Sequence, residues 1–144
     1  MAVTSTIYPH ALKHLQLGAI NLEEHDIRVA LLKASYSPGA HEYWSNVSTH
    51  EVSGTGYQAG GKSLANKSVT VNTTTRVATF DADDVNWANS TITARYAVIY
   101  NNTPTQSSQK QLICLIDFGE DKVSANGNFT IEWDANGIFR LTTV

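Results

Sequence analysis

Phe80-Asp-Ala-Asp-Asp-Val-Asn-Trp87, a polar break, and Thr91-Ile-Thr-Ala-Arg-Tyr-Ala-Val-Ile-Tyr100 form the stretch whose reading decides the fold. In its second half Ile92, Ala94, Tyr96, Val98 and Tyr100 alternate with Thr91, Thr93 and Arg95. Period-two alternation predicts a strand with one buried face, here the face of Ile92 to Tyr100. From Ala97 onward both faces turn apolar, so this end is expected in the middle of a sheet, covered on both sides. Asn101-Asn-Thr-Pro104 stops the strand, because proline cannot donate to a ladder.

Outward from this strand, further short apolar runs recur. Asp26–Ala34 reads as a buried strand, broken by Ser35-Tyr-Ser-Pro-Gly39. Val69 and Val71 alternate with polar residues, Asn72–Thr75 turns, and Arg76–Asp81 returns, which makes a hairpin. Lys110–Phe118 places Leu112, Cys114, Ile116 and Phe118 on one face. Phe129, Ile131 and Trp133 share the buried face of another strand; Asp134-Ala-Asn-Gly137 then turns, and Ile138–Thr143 closes a final hairpin. Before all of these, Ser5 and Thr6 are candidate caps and Pro9 suits a first helical turn. Ala11, Leu12, Leu15 and Ala19 follow helical spacing, and Gly18 can end the helix. The fold class is therefore all-β: an antiparallel β-sandwich, jelly-roll-like, of about eight strands with one short N-terminal helix. Residues 1–144 read as a single domain, with 1–25 a helical arm and 40–67 a long glycine-rich loop. Loops of that length tend to be functional or to contact a partner.

Composition narrows the function. Charged residues make up 16% of the chain and the net charge is −3. No basic run is present to bind nucleic acid. No apolar stretch approaches the roughly 20 residues that span a bilayer. Met1–Thr6 lacks the charged and apolar regions of a signal peptide. Cys114 is the one cysteine. It lies in an apolar run and reads as a small buried hydrophobe, in a chain made in a reducing cytoplasm.

Several motifs suggest chemistry. Gly56-Tyr-Gln-Ala-Gly-Gly-Lys-Ser63 fits the phosphate-loop pattern, but that loop needs a buried strand before it and a helix after it. Thr49–Ser53 and Asn66–Asn72 are neither, so a glycine-rich connection is expected instead. Asp81, Asp83 and Asp84 are hard oxygen ligands without the spacing of a calcium site, and read as an acidic turn. His10 and His14 share a helical face with no third metal ligand assigned. Glu120-Asp-Lys122 reads as a solvated turn. Trp44, Trp87 and Trp133 suit a sugar site or, more often, a core. No catalytic residue, cofactor or metal follows from these motifs.

Glu51-Val-Ser-Gly-Thr-Gly-Tyr57 with Gly60-Gly61 and Leu64, Asp81–Trp87 with Thr91–Arg95, Asp117–Lys122 and Phe129–Ile138 together resemble, in this order, blocks of small virion proteins of tailed bacteriophages. The resemblance covers Glu51 to the C-terminus. It implies a head decoration (cement) protein, without catalytic residues, that binds the major capsid protein on the virion surface, commonly as a homotrimer. It also implies synthesis in the host bacterial cytoplasm. The alternatives are a tail, collar or fibre component, or a carbohydrate-binding module that adsorbs to a host glycan. The expected partner surface is the N-terminal part and the loop, with Tyr43, Trp44, Gly54, Gly56, Tyr57, Gly60 and Gly61. Aromatics are enriched in interface cores, and glycines permit close approach. The competing expectation is that the loop folds over its own domain, with Trp44 and Tyr57 completing the core.

Overall fold

The computed structural model describes residues 3–143. Met1 and Ala2 of the expected helical arm, and Val144 at the domain's end, lie outside the described residues. The chain forms β1 (Thr4–Ile7), α1 (Pro9–Gln16), β2 (Ile27–Leu32), β3 (Lys62–Ser63), β4 (Ser68–Asn72), β5 (Val77–Asp81), β6 (Val85–Asn101), β7 (Leu112–Ile131) and β8 (Phe139–Thr142). Every strand pairing is antiparallel. Five strands form a large sheet in the order β1-β7-β6-β2-β3, and three form a small one in the order β4-β5-β8. The result is an all-β, sandwich-like fold. β6 holds the central place that its doubly apolar end requires, and it stops at Asn101 as expected.

Two apolar clusters cover the large sheet, one on each face. Successive residues of β2 point to opposite sides. Ile27, Val29 and Leu31 enter the first cluster with Phe80, Trp87, Phe129 and Ile138, between the two sheets. Ala30 and Leu32 enter the second, beneath Tyr8, Ala11, Tyr36, Trp44 and Val47. The helix touches both clusters, through Ala11 in the second and Leu15 against the first.

The one-faced reading of Ile92–Tyr100 is corrected. Val85 and Trp87, then Ile92 and Ala94, then Ala97 and Ile99 all face the first cluster, while Tyr96, Val98 and Tyr100 face the second. The buried parity switches twice, in each case where β6 and β7 shift register, as an extra residue in one strand requires. At one shift Asn89 takes φ 50°, and the buried Ser90 hydroxyl bonds Ser124 Oγ at 2.8 Å and the Trp87 carbonyl at 3.0 Å. At the other, Asp117 accepts from Arg95 Nε at 3.3 Å and from the Gly119 amide at 2.8 Å, with Gly119 at φ 80°. Polar side chains inside the ladder hold both bulges.

Other boundaries differ for related reasons. Leu112–Phe118 and Phe129–Ile131 belong to one 20-residue strand, and Glu120 and Asp121 sit in its bulge instead of a turn, with Lys122 paired to Ala94. β8 pairs with β5, not with the strand before it. Ser5 and Thr6 do not cap the helix; they lie in β1, which pairs with Cys114–Asp117, and Tyr8 is the N-cap. Trp133 is half-buried, donating its indole N–H to the Asp83 carbonyl at 2.9 Å, and the fully buried tryptophan is Trp87.

Candidate functional site

The loop 40–67 is folded against its own domain. Two 3-10 turns, Trp44–Asn46 and Ser48–His50, begin it. The Tyr43 amide donates to Asn46 Oδ1 at 2.9 Å, which opens the first turn. Trp44 is 7% exposed and stacks on Tyr100, with ring centroids 4.5 Å apart and planes 9° apart. Its amide donates to the Lys110 carbonyl at 2.8 Å. Tyr43 stays half-buried, its ring 6.1 Å from that of His14.

The second half hangs on Glu51. Its Oε2 accepts from the Tyr57 hydroxyl at 2.6 Å and from the Gly60 amide at 2.8 Å. Tyr57 Oη in turn accepts the Leu31 amide at 3.0 Å, and the Tyr57 ring stands 5.8 Å from Trp87. Tyr100 donates to the Gly60 carbonyl at 2.6 Å. The glycines are required by the loop's approach to its own strands. A Cβ at Gly54 would overlap the Thr91 carbonyl, and one at Gly56 would lie 2.8 Å from Ser90 Cα. A Cβ at Gly61, where φ is 78°, would overlap the Val29 carbonyl of β2. The structure therefore gathers Trp44, Tyr57, Gly54, Gly56, Gly60 and Gly61 on the large sheet of their own domain. Apart from Lys62, the loop's exposed side chains carry no charge; they include Ser45, Asn46, Thr49, Ser53, Thr55, Gln58 and Ala59. These outward residues carry no sequence signal beyond their lack of charge.

Burial is the largest influence on the Glu51 carboxyl and raises it above its ordinary 4.5, outweighing the bonds from Tyr57 and Gly60. The folded chain then holds this proton more tightly than the unfolded chain. Between the ordinary and the raised value, stability falls as pH rises, and it returns on acidification. Asp26 has the opposite sign. Burial alone would raise it, but bonds from Ser63, Asn102 and Arg28 hold it below its ordinary 3.8. Its contribution is therefore lost as pH falls below that value. Glu51→Gln is expected to flatten the downward slope above pH 4.5. Urea midpoints of the variant and the parent that run parallel across this window would contradict it.

The remaining candidates are held apart. The chain leaves the phosphate-loop pattern in β3 and not in a helix, and Lys62 Nζ donates to the Asn86 carbonyl at 2.5 Å, 5.9 Å above the Trp87 ring. Asp81, Asp83 and Asp84 each serve a different local bond, to the Ala82 amide, Asn66 Nδ2 and the Trp133 amide. His14 Nε2 and His10 Nδ1 both approach Glu42, at 2.8 and 3.7 Å, a convergence that the spacing of the histidines only half revealed. Among the described residues no three His, Cys, Asp or Glu side chains stand together as metal ligands. Burial pushes the Cys114 thiol up to about 12. Since the thiolate is the reactive form, Cys114 is expected to resist an aromatic disulfide reagent at neutral pH until denaturant is added. Stoichiometric labelling of the native protein within minutes would contradict its burial. No helix among the described residues is long and apolar enough to cross a membrane. Comparison with family models, curated proteins and solved structures finds no match.

Proposed function

We propose that this chain is a structural virion protein: a decoration or cement protein that binds the major capsid protein on the phage head surface and works as a homotrimer. One observation carries the reading. The long loop turns Trp44, Tyr57 and Glu51 into its own domain and leaves an outer surface of neutral side chains on which Lys62 is the one exposed charge. Interface cores are depleted in charge, and a surface shaped before contact loses little entropy on binding. The resemblance of Glu51–Ile138 to phage virion proteins points the same way.

The test uses exposed loop positions, because Trp44 and Tyr57 support the fold. Thr55→Arg with Gln58→Arg should keep the parent's urea midpoint and fail to decorate shells that lack the protein. Full occupancy by this double variant would remove the loop from the contact. Copy number per virion separates head from tail: hundreds fit a shell lattice, a dozen or fewer a tail, collar or fibre. A second reading has its own support. Half-buried Trp133 borders an open groove of about 610 Å³ with Asn128, Glu132 and Asp134 on its walls. An aromatic beside polar groups is a combination suited to a sugar. Binding on a glycan array that Trp133→Ala abolishes would favour host adsorption over decoration.

A further inference from the structure

The small sheet ends in an unpaired strand. β4 pairs with β5 on one side, and no other strand among the described residues pairs with it. The β4–β5 ladder runs without a bulge from Ser68↔Asp81 to Asn72↔Val77. In such a ladder alternate residues turn both backbone groups outward. Val69 is one of these, since its amide donates to Glu23 Oε2 at 3.1 Å. Val71 follows by the same alternation. The strand reads Ser-Val-Thr-Val-Asn. It has no charge, proline or bulge, the devices that usually keep an edge from pairing. Its valines also face an apolar row that overhangs the core. Val71, Ala78 and Leu141 stand side by side across β4, β5 and β8, and Val71 and Leu141 are 67% and 39% exposed. They line an open cavity of about 510 Å³.

We propose that β4 pairs antiparallel with β4 of a second copy, about a two-fold axis through Thr70, joining two small sheets into one of six strands. The strand is complementary to itself in this register. Val69 lies opposite the partner's Val71, with the outward backbone groups of both facing each other. Thr70 lies opposite the partner's Thr70, and no like charges meet. Charge at the two ends matches as well. Arg76, at the hairpin tip, has no ion-pair partner among the described residues. Antiparallel pairing brings it to the far end of the other strand, where Glu23 accepts the Val69 amide, and symmetry makes this contact twice. Glu23 then releases the Val69 amide to a carbonyl of the second copy and takes an arginine in exchange. This contact is separate from the shell contact proposed above, because the loop packs on the large sheet.

Sedimentation equilibrium of the whole chain tests it. In solution, away from the shell on which the proposed homotrimer assembles, the parent is expected to form a reversible dimer. Val71→Pro removes only an outward-facing amide at an edge, where proline is tolerated; it should keep the parent's circular dichroism and be monomeric. If that variant does not fold, Val71→Lys carries the same test at an exposed side chain. Arg76→Glu should weaken dimerisation roughly tenfold, from two exposed pairs lost together, and Glu23→Arg with Arg76→Glu should restore it. A parent that stays monomeric at about millimolar concentration overturns the pairing. So does a dimer or trimer that survives Val71→Pro, or a charge exchange without recovery.

Discussion

Trp87→Ala is expected to destabilise the domain by about 3–5 kcal/mol, the usual cost of emptying a buried aromatic site. Trp87 is 1% exposed and sits where the central strand meets the small sheet. Its ring packs against Phe129 at 6.0 Å, edge-on, and against Tyr57 at 5.8 Å. The cavity left behind is walled by two sheets that cannot close on it without breaking their ladders, so relaxation recovers little. A domain of this kind has about 5–15 kcal/mol in total. With a urea slope of about 2 kcal/mol/M, the midpoint should fall by roughly 1.5–2.5 M. Trp133→Ala removes a half-buried ring and one hydrogen bond, and should cost about 1–2 kcal/mol. The two variants together test the placement of the tryptophans: equal midpoints would mean that Trp133, not Trp87, fills the core.

Gly61→Ala is the second large effect, at about 2–5 kcal/mol, and its cause is the backbone, through a left-handed conformation and a collision. An alanine there must adopt φ 78°. That conformation by itself costs about 1–2 kcal/mol. Its methyl group also collides with the Val29 carbonyl of β2. Overpacking of this kind adds about 1–3 kcal/mol. The segment most easily displaced is the loop, held here by the Gly61 amide on the Gln58 carbonyl at 3.0 Å and by Gly60 on Glu51. Hydrogen exchange should therefore show Gly54–Leu64 losing protection ahead of β6 and β7. Gly18→Ala is the control: φ is 73°, but no atom lies within 4 Å of the added methyl, so only the smaller conformational cost applies. If both variants melt alike, the collision at β2 does not exist.

The candidate site was half legible. Tyr43, Trp44, Tyr57 and the glycines mark the loop as a place where backbone and aromatics come close to something. Glycine spacing does not say whether that surface belongs to the same chain or another. Val29, Ser90 and Thr91, which the glycines meet, lie 32, 34 and 37 positions away from Gly61, Gly56 and Gly54. The role of Glu51 as the loop's anchor is not legible from its neighbours, because it depends on burial and on bonds from Tyr57 and Gly60. Only the pairing of His10 with His14 was visible locally; Glu42, which both approach, comes from beyond a strand and a turn.

What the sequence determined by itself was local and periodic. Ala97–Tyr100, apolar on both faces, had to lie mid-sheet; Val69–Asp81 had to turn at Asn72; Pro9 and Gly18 had to bracket a helix. Each rests on the preferences of adjacent residues. The tertiary structure decided whatever depended on distant partners. Thr4–Ile7 is mostly polar and exposed, and becomes a strand because Cys114–Asp117 offers a free edge. β8 chooses β5 over its neighbour in the chain because the small sheet needs a third strand beside Phe80. The two reversals of face in β6 follow from bulges held by Asp117 and by the Ser90–Ser124 pair. Asp117 and Ser124 lie on β7, which the chain reaches only after leaving β6 at Asn101 and crossing to Leu112. A period of two cannot announce its own interruption when the residue that causes it lies across the ladder.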